Sequence, residues 1–189
     1  MMSDIPPLDH AAKIGMVARW QPVHRGHVPV LRALTAGPAQ AVIGIGSSNE
    51  YNYRCPFSLQ ETQDMLMLVL NERQNYELVP VPDLHNGPRW RAMVLELFGA
   101  LDFFVTANPY VKSLLADDYK IVHPAALLAD ADKVPVEGAM VRLEMARGGN
   151  WRSLVPESVA DYIQVRKLDD RFRQEFGLQT LAIDSMMGD

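Results

Sequence analysis

Two histidines flank the dipeptide Arg25-Gly26 in ARWQPVHRGH, residues 18–27, with an apolar run on either side. Each imidazole of His24 and His27 can donate a hydrogen bond without carrying a permanent charge. Gly26 lets the backbone approach a ligand closely. Arg19 adds a fork-shaped cation suited to phosphate oxygens. Gathered within nine residues, these groups suit the binding of one anion and the stabilisation of charge that develops on it. Two other readings stand beside this one. His24 caps a turn while His27 is an exposed helix residue, or the pair binds metal with His85 and His123. The metal reading lacks a recognised ligand spacing and an acidic cluster.

The elements around the motif decide where it sits. KIGMVA at 13–18 is short and apolar and reads as a buried strand, and residues 26–34 read as a helix stopped by Gly37 and Pro38. HRGH therefore falls where a strand ends and a helix begins, a place where free backbone amides favour anions. QAVIGIG at 40–46 is a second strand, followed by a polar, aromatic loop, SSNEYNYRCPF. Ser58 and Glu61 form a capping-box pattern that opens a helix to about Arg73. Strands follow at 76–81, 101–106 and 120–123, with helices at 88–98, after Asn108-Pro109, from Val136 and from about Pro156. The residues after Gly177 are expected to form a loose tail. Continuously apolar strands alternating with helices predict an α/β fold, a parallel sheet covered on both faces. GIGSSN lacks the third glycine of a dinucleotide fingerprint and follows the second strand, so it is a weak nucleotide signal.

A chain of 189 residues is sized for one domain, expected at 13–168, with an N-terminal extension at 1–12 and a C-terminal helix and tail at 169–189. A net charge of -5 excludes the broad basic footprint of a duplex-binding protein, so nucleic acid is not an expected partner. Any anionic ligand must be held by a few local cations. Cys55 is the single cysteine, which excludes an intrachain disulfide and a cysteine zinc finger and favours a reducing compartment. With no targeting pattern and no apolar run near 20 residues, no membrane is expected and the cytoplasm is the expected location.

RWQPVHRGH at 19–27 resembles R-F-Q-P-F-H-x-G-H, the opening motif of the nicotinamide-mononucleotide adenylyltransferases, above all the archaeal-type branch of that nucleotidyltransferase superfamily. Further segments resemble that branch in order: IGIGSS at 43–48, CPFS at 55–58, PDLHNGPRW at 82–90, TANP at 106–109 and GAMVRLEMARGGNWRSLVPESVADYI at 138–163. The resemblance implies a Rossmann-like nucleotidyltransferase fold with a C-terminal helical segment. It implies transfer of the adenylyl group of ATP to nicotinamide mononucleotide, giving NAD and pyrophosphate without a covalent enzyme intermediate. It also implies catalytic roles for Arg19, His24, His27 and Arg142, ATP contacts from Gln21, Gly26, Asn108 and Gly138, and magnesium carried on the triphosphate. On the nicotinamide-nucleotide side it implies Ser47, Asn49, Asp83, Asn86 and Trp90. Trp90 offers a π face to a flat cationic ring, with core packing as an equal alternative; Asn108 has helix capping as its alternative. Assembly from several identical subunits is expected by analogy alone.

The resemblance breaks at one signature. Where the family has S-G-T-x-I-R, residues 137–142 read EGAMVR, so both hydroxyls are gone and Glu137 brings a carboxylate. Thr62 stands where the branch has arginine. Three outcomes follow: an active adenylyltransferase with rearranged triphosphate contacts, a nucleotidyltransferase for another nucleotide or acceptor, or a weakly catalytic nucleotide-binding sensor.

Overall fold

The computed structural model describes residues 11–187. Most of the expected N-terminal extension, residues 1–10, lies outside the described residues. The rest groups into two compact units that interleave along the sequence, a division that the order of strands and helices does not reveal.

The first unit comprises residues 11–18, 29–49 and 72–133. It holds a five-stranded, wholly parallel sheet of order β3-β2-β1-β4-β5, formed by β1 (Lys13–Ala18), β2 (Gln40–Gly46), β3 (Tyr76–Val81), β4 (Phe103–Val105) and β5 (Ile121–Val122). Ile14 pairs with Ala41 on one side and Phe103 on the other, so β1 is central and the strand order reverses between β1 and β4. The parallel sheet read from the apolar runs is present, with β4 and β5 shorter than expected. Residue Asp102 is spent on a corner instead of on β4: its carboxylate accepts from the amides of Ala12 (2.7 Å) and Lys13 (2.9 Å).

Helix α1 (His27–Leu34) buries Val30, Leu31 and Leu34, and α3 (Gly87–Phe98) and α4 (Pro109–Leu115) complete the elements around the sheet. Phe98 and Val94 of α3 join Val42, Val79, Val81, Phe104, Leu115 and Tyr119 in one buried core. That packing depends on Gly15 and Gly44. A Cβ on Gly44 would lie 2.7 Å from Val17 Cγ2 and 2.8 Å from Phe98 Cζ, and one on Gly15 would lie 2.8 Å from Phe98 Cδ1. The ring of Phe98 thus rests on strand positions that have no side chain. Gly44→Ala is expected to cost about 1–3 kcal/mol by overpacking, read as a lower urea midpoint with an unchanged slope.

The second unit comprises Arg19–Val28, Glu50–Asn71 and the chain from Val134 onward. Its helices are α2 (Leu59–Leu70), α5 (Gly138–Arg147), α6 (Glu157–Val165) and α7 (Leu168–Met187), with α5 and α6 packed against α7 and α2 against α6. The Ser58–Glu61 capping box is formed as the sequence predicts, but α2 stops at Leu70, where Asn71 turns away. The expected loose tail is instead part of α7, which runs unbroken through Gly177. Glycine costs a helix about 1 kcal/mol relative to alanine. Arg173 ion pairs with Asp169 and Asp170 within α7, and the Arg147–Asp184 bridge from α5 at 2.8 Å offset that cost.

Candidate active site

The segment after β1 folds into a turn that both histidines close. His27 N–H donates to the His24 carbonyl (2.9 Å), and His24 N–H donates to His27 Nδ1 (3.2 Å). The spacing of three is what this reciprocal pair requires. It also stacks the two rings, centroids 3.5 Å apart, with Trp20 tilted against His27 at 4.7 Å. Since Nδ1 of His27 accepts, its ring proton sits on Nε2, which is left as a donor. Trp20 itself has φ 57, a strained conformation for a non-glycine residue in a turn of this kind.

Gly26 has a packing task. A Cβ there would lie 2.4 Å from the Val136 carbonyl oxygen and 3.1 Å from the His24 ring, so the glycine admits the chain leading into α5. It does not line the cavity described next. Gln21 lines the cavity described next and also has a structural task. Its buried carboxamide is fully engaged: Oε1 accepts from Phe57 N–H (2.9 Å), and Nε2 donates to the Phe57 carbonyl (3.0 Å) and to Thr62 Oγ1 (3.1 Å). A buried amide must be satisfied, and here that need ties the histidine turn to the loop before α2. Thr62 is fully buried at this junction, and its hydroxyl donates to the Ser58 carbonyl at 2.9 Å, which accounts for a small residue at that position.

A cavity of about 350 Å³ in this unit is lined by Arg19, Trp20, Gln21, His24, His27, Arg54, Glu137, Gly138, Ala139 and Arg142. Arg19, His24, His27 and Arg142, residues from two distant stretches of sequence, therefore face one space. Glu137 is the N-cap of α5, so the free amides of that helix's first turn open on the same cavity and favour negative charge there. Arg142 reaches across from α5, its Nη1 donating to the Gln21 carbonyl at 2.6 Å. Burial, followed by the charges of Arg19 and Arg54, pushes the Arg142 pKa down to about 10, leaving it charged at neutral pH but poorly compensated. Arg54 was not singled out by the sequence; the signal was a cation directly before the CPFS turn. Cys55 beside it is buried and free, its thiol pushed up by burial against the opposing charges of Arg19 and Arg142.

Both imidazoles are neutral in this setting. Burial, reinforced by Arg142, lowers His24 to about 4, and burial together with His24 holds His27 well below the ordinary value. His24 Nδ1 is buried without a partner. An imidazole whose pKa falls on folding binds protons more readily in the unfolded chain, so its stabilising contribution is complete above about pH 6.5 and drains away as pH falls toward 4. Urea midpoints are expected to drop across that window in the native protein and to drop less in His24→Asn.

The remaining expected site residues lie in the first unit, where Asn49, Asp83, Asn86 and Asn108 have structural tasks. Asn108 caps α4, its Oδ1 accepting from Tyr110 N–H (2.9 Å), and Asn86 caps α3, accepting from Arg89 N–H (3.0 Å). Asn49 and the Asp83 backbone bond in both directions, at 2.7 and 3.0 Å, and the Asp83 carboxylate accepts from His85 N–H. Ser47 has φ 54 at the end of β2. Trp90 is half-buried on α3 against the core. Among the described residues no three or more His, Cys, Asp or Glu side chains form a metal-binding group.

No family model matches the chain. It is 31% identical over 162 residues to the nicotinamide-nucleotide adenylyltransferase of Pyrococcus abyssi, covering 83% of this chain and 85% of that protein. It is 33% identical over 151 residues to the nicotinamide-nucleotide adenylyltransferase of Picrophilus torridus, covering 78% and 88%. Among solved structures, a bifunctional NMN adenylyltransferase/ADP ribose pyrophosphatase from Francisella tularensis, complexed with AMP and a manganese ion, matches with a TM-score of 0.68 at 14% identity. That match covers 95% of this chain but 56% of the other, so the chain spans little more than half of that protein's length. At such identity the likeness is one of fold, the Rossmann-like nucleotidyltransferase fold.

Proposed function

This chain belongs to the nicotinamide-nucleotide adenylyltransferase family, a family of nucleotidyltransferases, and from that premise we propose that it transfers the adenylyl group of ATP to nicotinamide mononucleotide. An oxygen of the mononucleotide phosphate attacks the α-phosphorus of ATP in line; the bond from that phosphorus to the bridging oxygen breaks and pyrophosphate leaves, forming NAD. The convergence of Arg19, His24, His27 and Arg142 on one cavity at the start of α5 carries this reading. Such chemistry asks the protein mainly to hold the phosphates and to stabilise the charge that develops on them. Neutral imidazole N–H groups and guanidinium groups, that of Arg142 partly desolvated, supply donors for that purpose.

ATP is taken as its magnesium complex. The cavity's single carboxylate, Glu137, is no cage for a divalent ion, which suits a cation held mainly by triphosphate oxygens and water. On the acceptor side, the half-buried ring of Trp90 and the residue Ser47 are the proposed contacts with nicotinamide mononucleotide; Asn49, Asp83 and Asn86 shape the loop around them and Asn108 the start of α4. Residues 13–168 are proposed as the functional nucleotidyltransferase region, acting in the cytoplasm, in keeping with a buried free thiol. No helix among the described residues is long and apolar enough to cross a membrane.

The test is to incubate the protein with magnesium, ATP and nicotinamide mononucleotide and to follow ³¹P resonances. NAD and pyrophosphate appearing in equal amounts is the expected result. ATP bound but unconverted would favour the sensor reading, and product formed only with other triphosphates or acceptors would favour a different nucleotidyltransferase.

A further inference from the structure

The two peptide groups that flank Phe57 are each held from both sides, by residues of the second unit that lie far apart in sequence. On one side stands Gln21: Phe57 N–H donates to its Oε1 (2.9 Å), and its Nε2 donates to the Phe57 carbonyl (3.0 Å). On the other stands an ion pair between α7 and α2. Arg171 donates to the Pro56 carbonyl at 3.0 Å and to both Glu61 carboxylate oxygens at 2.7 Å, and Glu61 Oε2 also accepts from Ser58 N–H at 2.9 Å. The Pro56 carbonyl and Phe57 N–H are the two ends of one planar peptide, and the Phe57 carbonyl and Ser58 N–H are the two ends of the next. Arg171 and Glu61 therefore hold one end of each plane while Gln21 holds the other. Phe57 is buried between them, and the loop before it is closed by its own turn, Asn52 Oδ1 accepting from the amides of Arg54 (2.9 Å) and Cys55 (3.1 Å).

Gln21 passes this constraint on to the cavity. Its side chain is spent on Phe57 and on Thr62 Oγ1 (3.1 Å), and its backbone carbonyl is the acceptor for Arg142 Nη1 at 2.6 Å. The Arg171 charge on the Pro56 carbonyl polarises that peptide and strengthens donation by Phe57 N–H at its other end, since hydrogen bonds in a chain reinforce one another. Arg171 itself does not line the cavity. Its fork meets two carboxylate oxygens and a carbonyl at once, a geometry that an ammonium does not reproduce.

From this geometry we infer that Arg171 is a positioning residue for the reaction: acting through Glu61, the two peptides of Phe57 and Gln21, it fixes the carbonyl that aims Arg142 into the cavity. The inference rests on the proposed adenylyl transfer for its effect on rate, while the aim of Arg142 is read without turnover. Arg171→Ala, Arg171→Lys and Tyr162→Phe are to be compared with the native protein, with unfolding midpoints for each. Tyr162→Phe removes the hydroxyl that bonds Asp64 at 2.6 Å, a tie between α6 and α2 that reaches neither Pro56 nor Gln21, and so controls for loosened packing. Arg171→Ala is expected to lower kcat/KM for ATP about tenfold, the cost of a misplaced donor, with KM for nicotinamide mononucleotide within twofold of native. Arg171→Lys should recover part of the loss, as a point charge without the fork. ¹⁵N spectra of the guanidinium groups give the second readout: the slowed rotation that the Gln21 carbonyl imposes on Arg142 Nη1 should persist in Tyr162→Phe and vanish in Arg171→Ala. If Arg171→Ala does not fold, the same two readouts are taken on Arg171→Lys, where smaller losses of both are expected and native values would refute the inference. Native kcat/KM and an intact Arg142 signal in Arg171→Ala would overturn it, as would equal losses in Tyr162→Phe. If the native protein makes no NAD yet the Arg142 signal vanishes in Arg171→Ala alone, the positioning role stands and the proposed reaction falls. If NAD forms and the Arg142 signal survives in Arg171→Ala, only the positioning inference falls.

Discussion

Arg142→Ala is expected to lower kcat/KM for ATP by about 10²–10³-fold, the loss associated with one preorganised donor aimed at developing charge. The guanidinium is already placed: one nitrogen is anchored to the Gln21 carbonyl, and burial has stripped much of its hydration. The cost of that desolvation is met on folding and not during the reaction, which is what makes the group effective. Arg142→Lys should rescue poorly. The same burial and the same neighbouring charges that bring an arginine down to about 10 would act on an ammonium whose ordinary value is about 10.4, shifting it toward neutrality near physiological pH. A steady-state comparison of native, Ala and Lys proteins from pH 6 to 9 checks this. The Lys variant should gain activity as pH falls, in the opposite sense to any general base, and a flat profile at the native level would refute the argument.

The second large effect concerns the histidine pair. His24→Ala and His27→Ala are each expected to reduce kcat by about 10²–10³-fold, and the double variant to be little worse than either single one. Neither residue holds its position alone. The two share a reciprocal bond pair and a ring stack, so removing one frees the other to leave its orientation, and energies of residues in one network do not add. Full additivity in a double-mutant cycle, with an interaction energy near zero, would mean that the stacked turn has no functional coupling. The low pKa values add a second readout: neither imidazole should show a titration near its ordinary value in the free protein, because His24 lies near 4 and His27 also lies well below normal. ¹⁵N-detected titration of the ring nitrogens checks this directly.

Much of the fold was legible because it is written locally. The runs KIGMVA and QAVIGIG became adjacent parallel strands, and Ser58 and Glu61 closed the cap they spell out. The histidine motif was legible through its spacing and its place after β1. What stayed hidden depends on partners far along the chain. Gln21 satisfies backbone groups 36 residues away, a tie that nothing beside the motif announces. Gly26 faces Val136, more than a hundred residues on, and its small size is a matter of packing. Asn86 and Asn108 carry side chains equally suited to bases and to helix amides, and the structure gives each a helix end. Gly177 reads as a breaker until the ion pairs around it in α7 are known. Arg54 is an ordinary loop cation in sequence; only the turn at Asn52 and the clamp from Arg171 give it a direction.

The account rests on imidazole and guanidinium groups from separate stretches of the chain sharing one polyphosphate. A crystal structure with a non-hydrolysable ATP analogue and magnesium tests that claim most directly. The predicted result is a triphosphate lodged in the cavity, in hydrogen-bond contact with His24 or His27 and with Arg142. A nucleotide bound elsewhere, with Arg142 still engaged only with the Gln21 carbonyl and the two histidines only with each other, would contradict it.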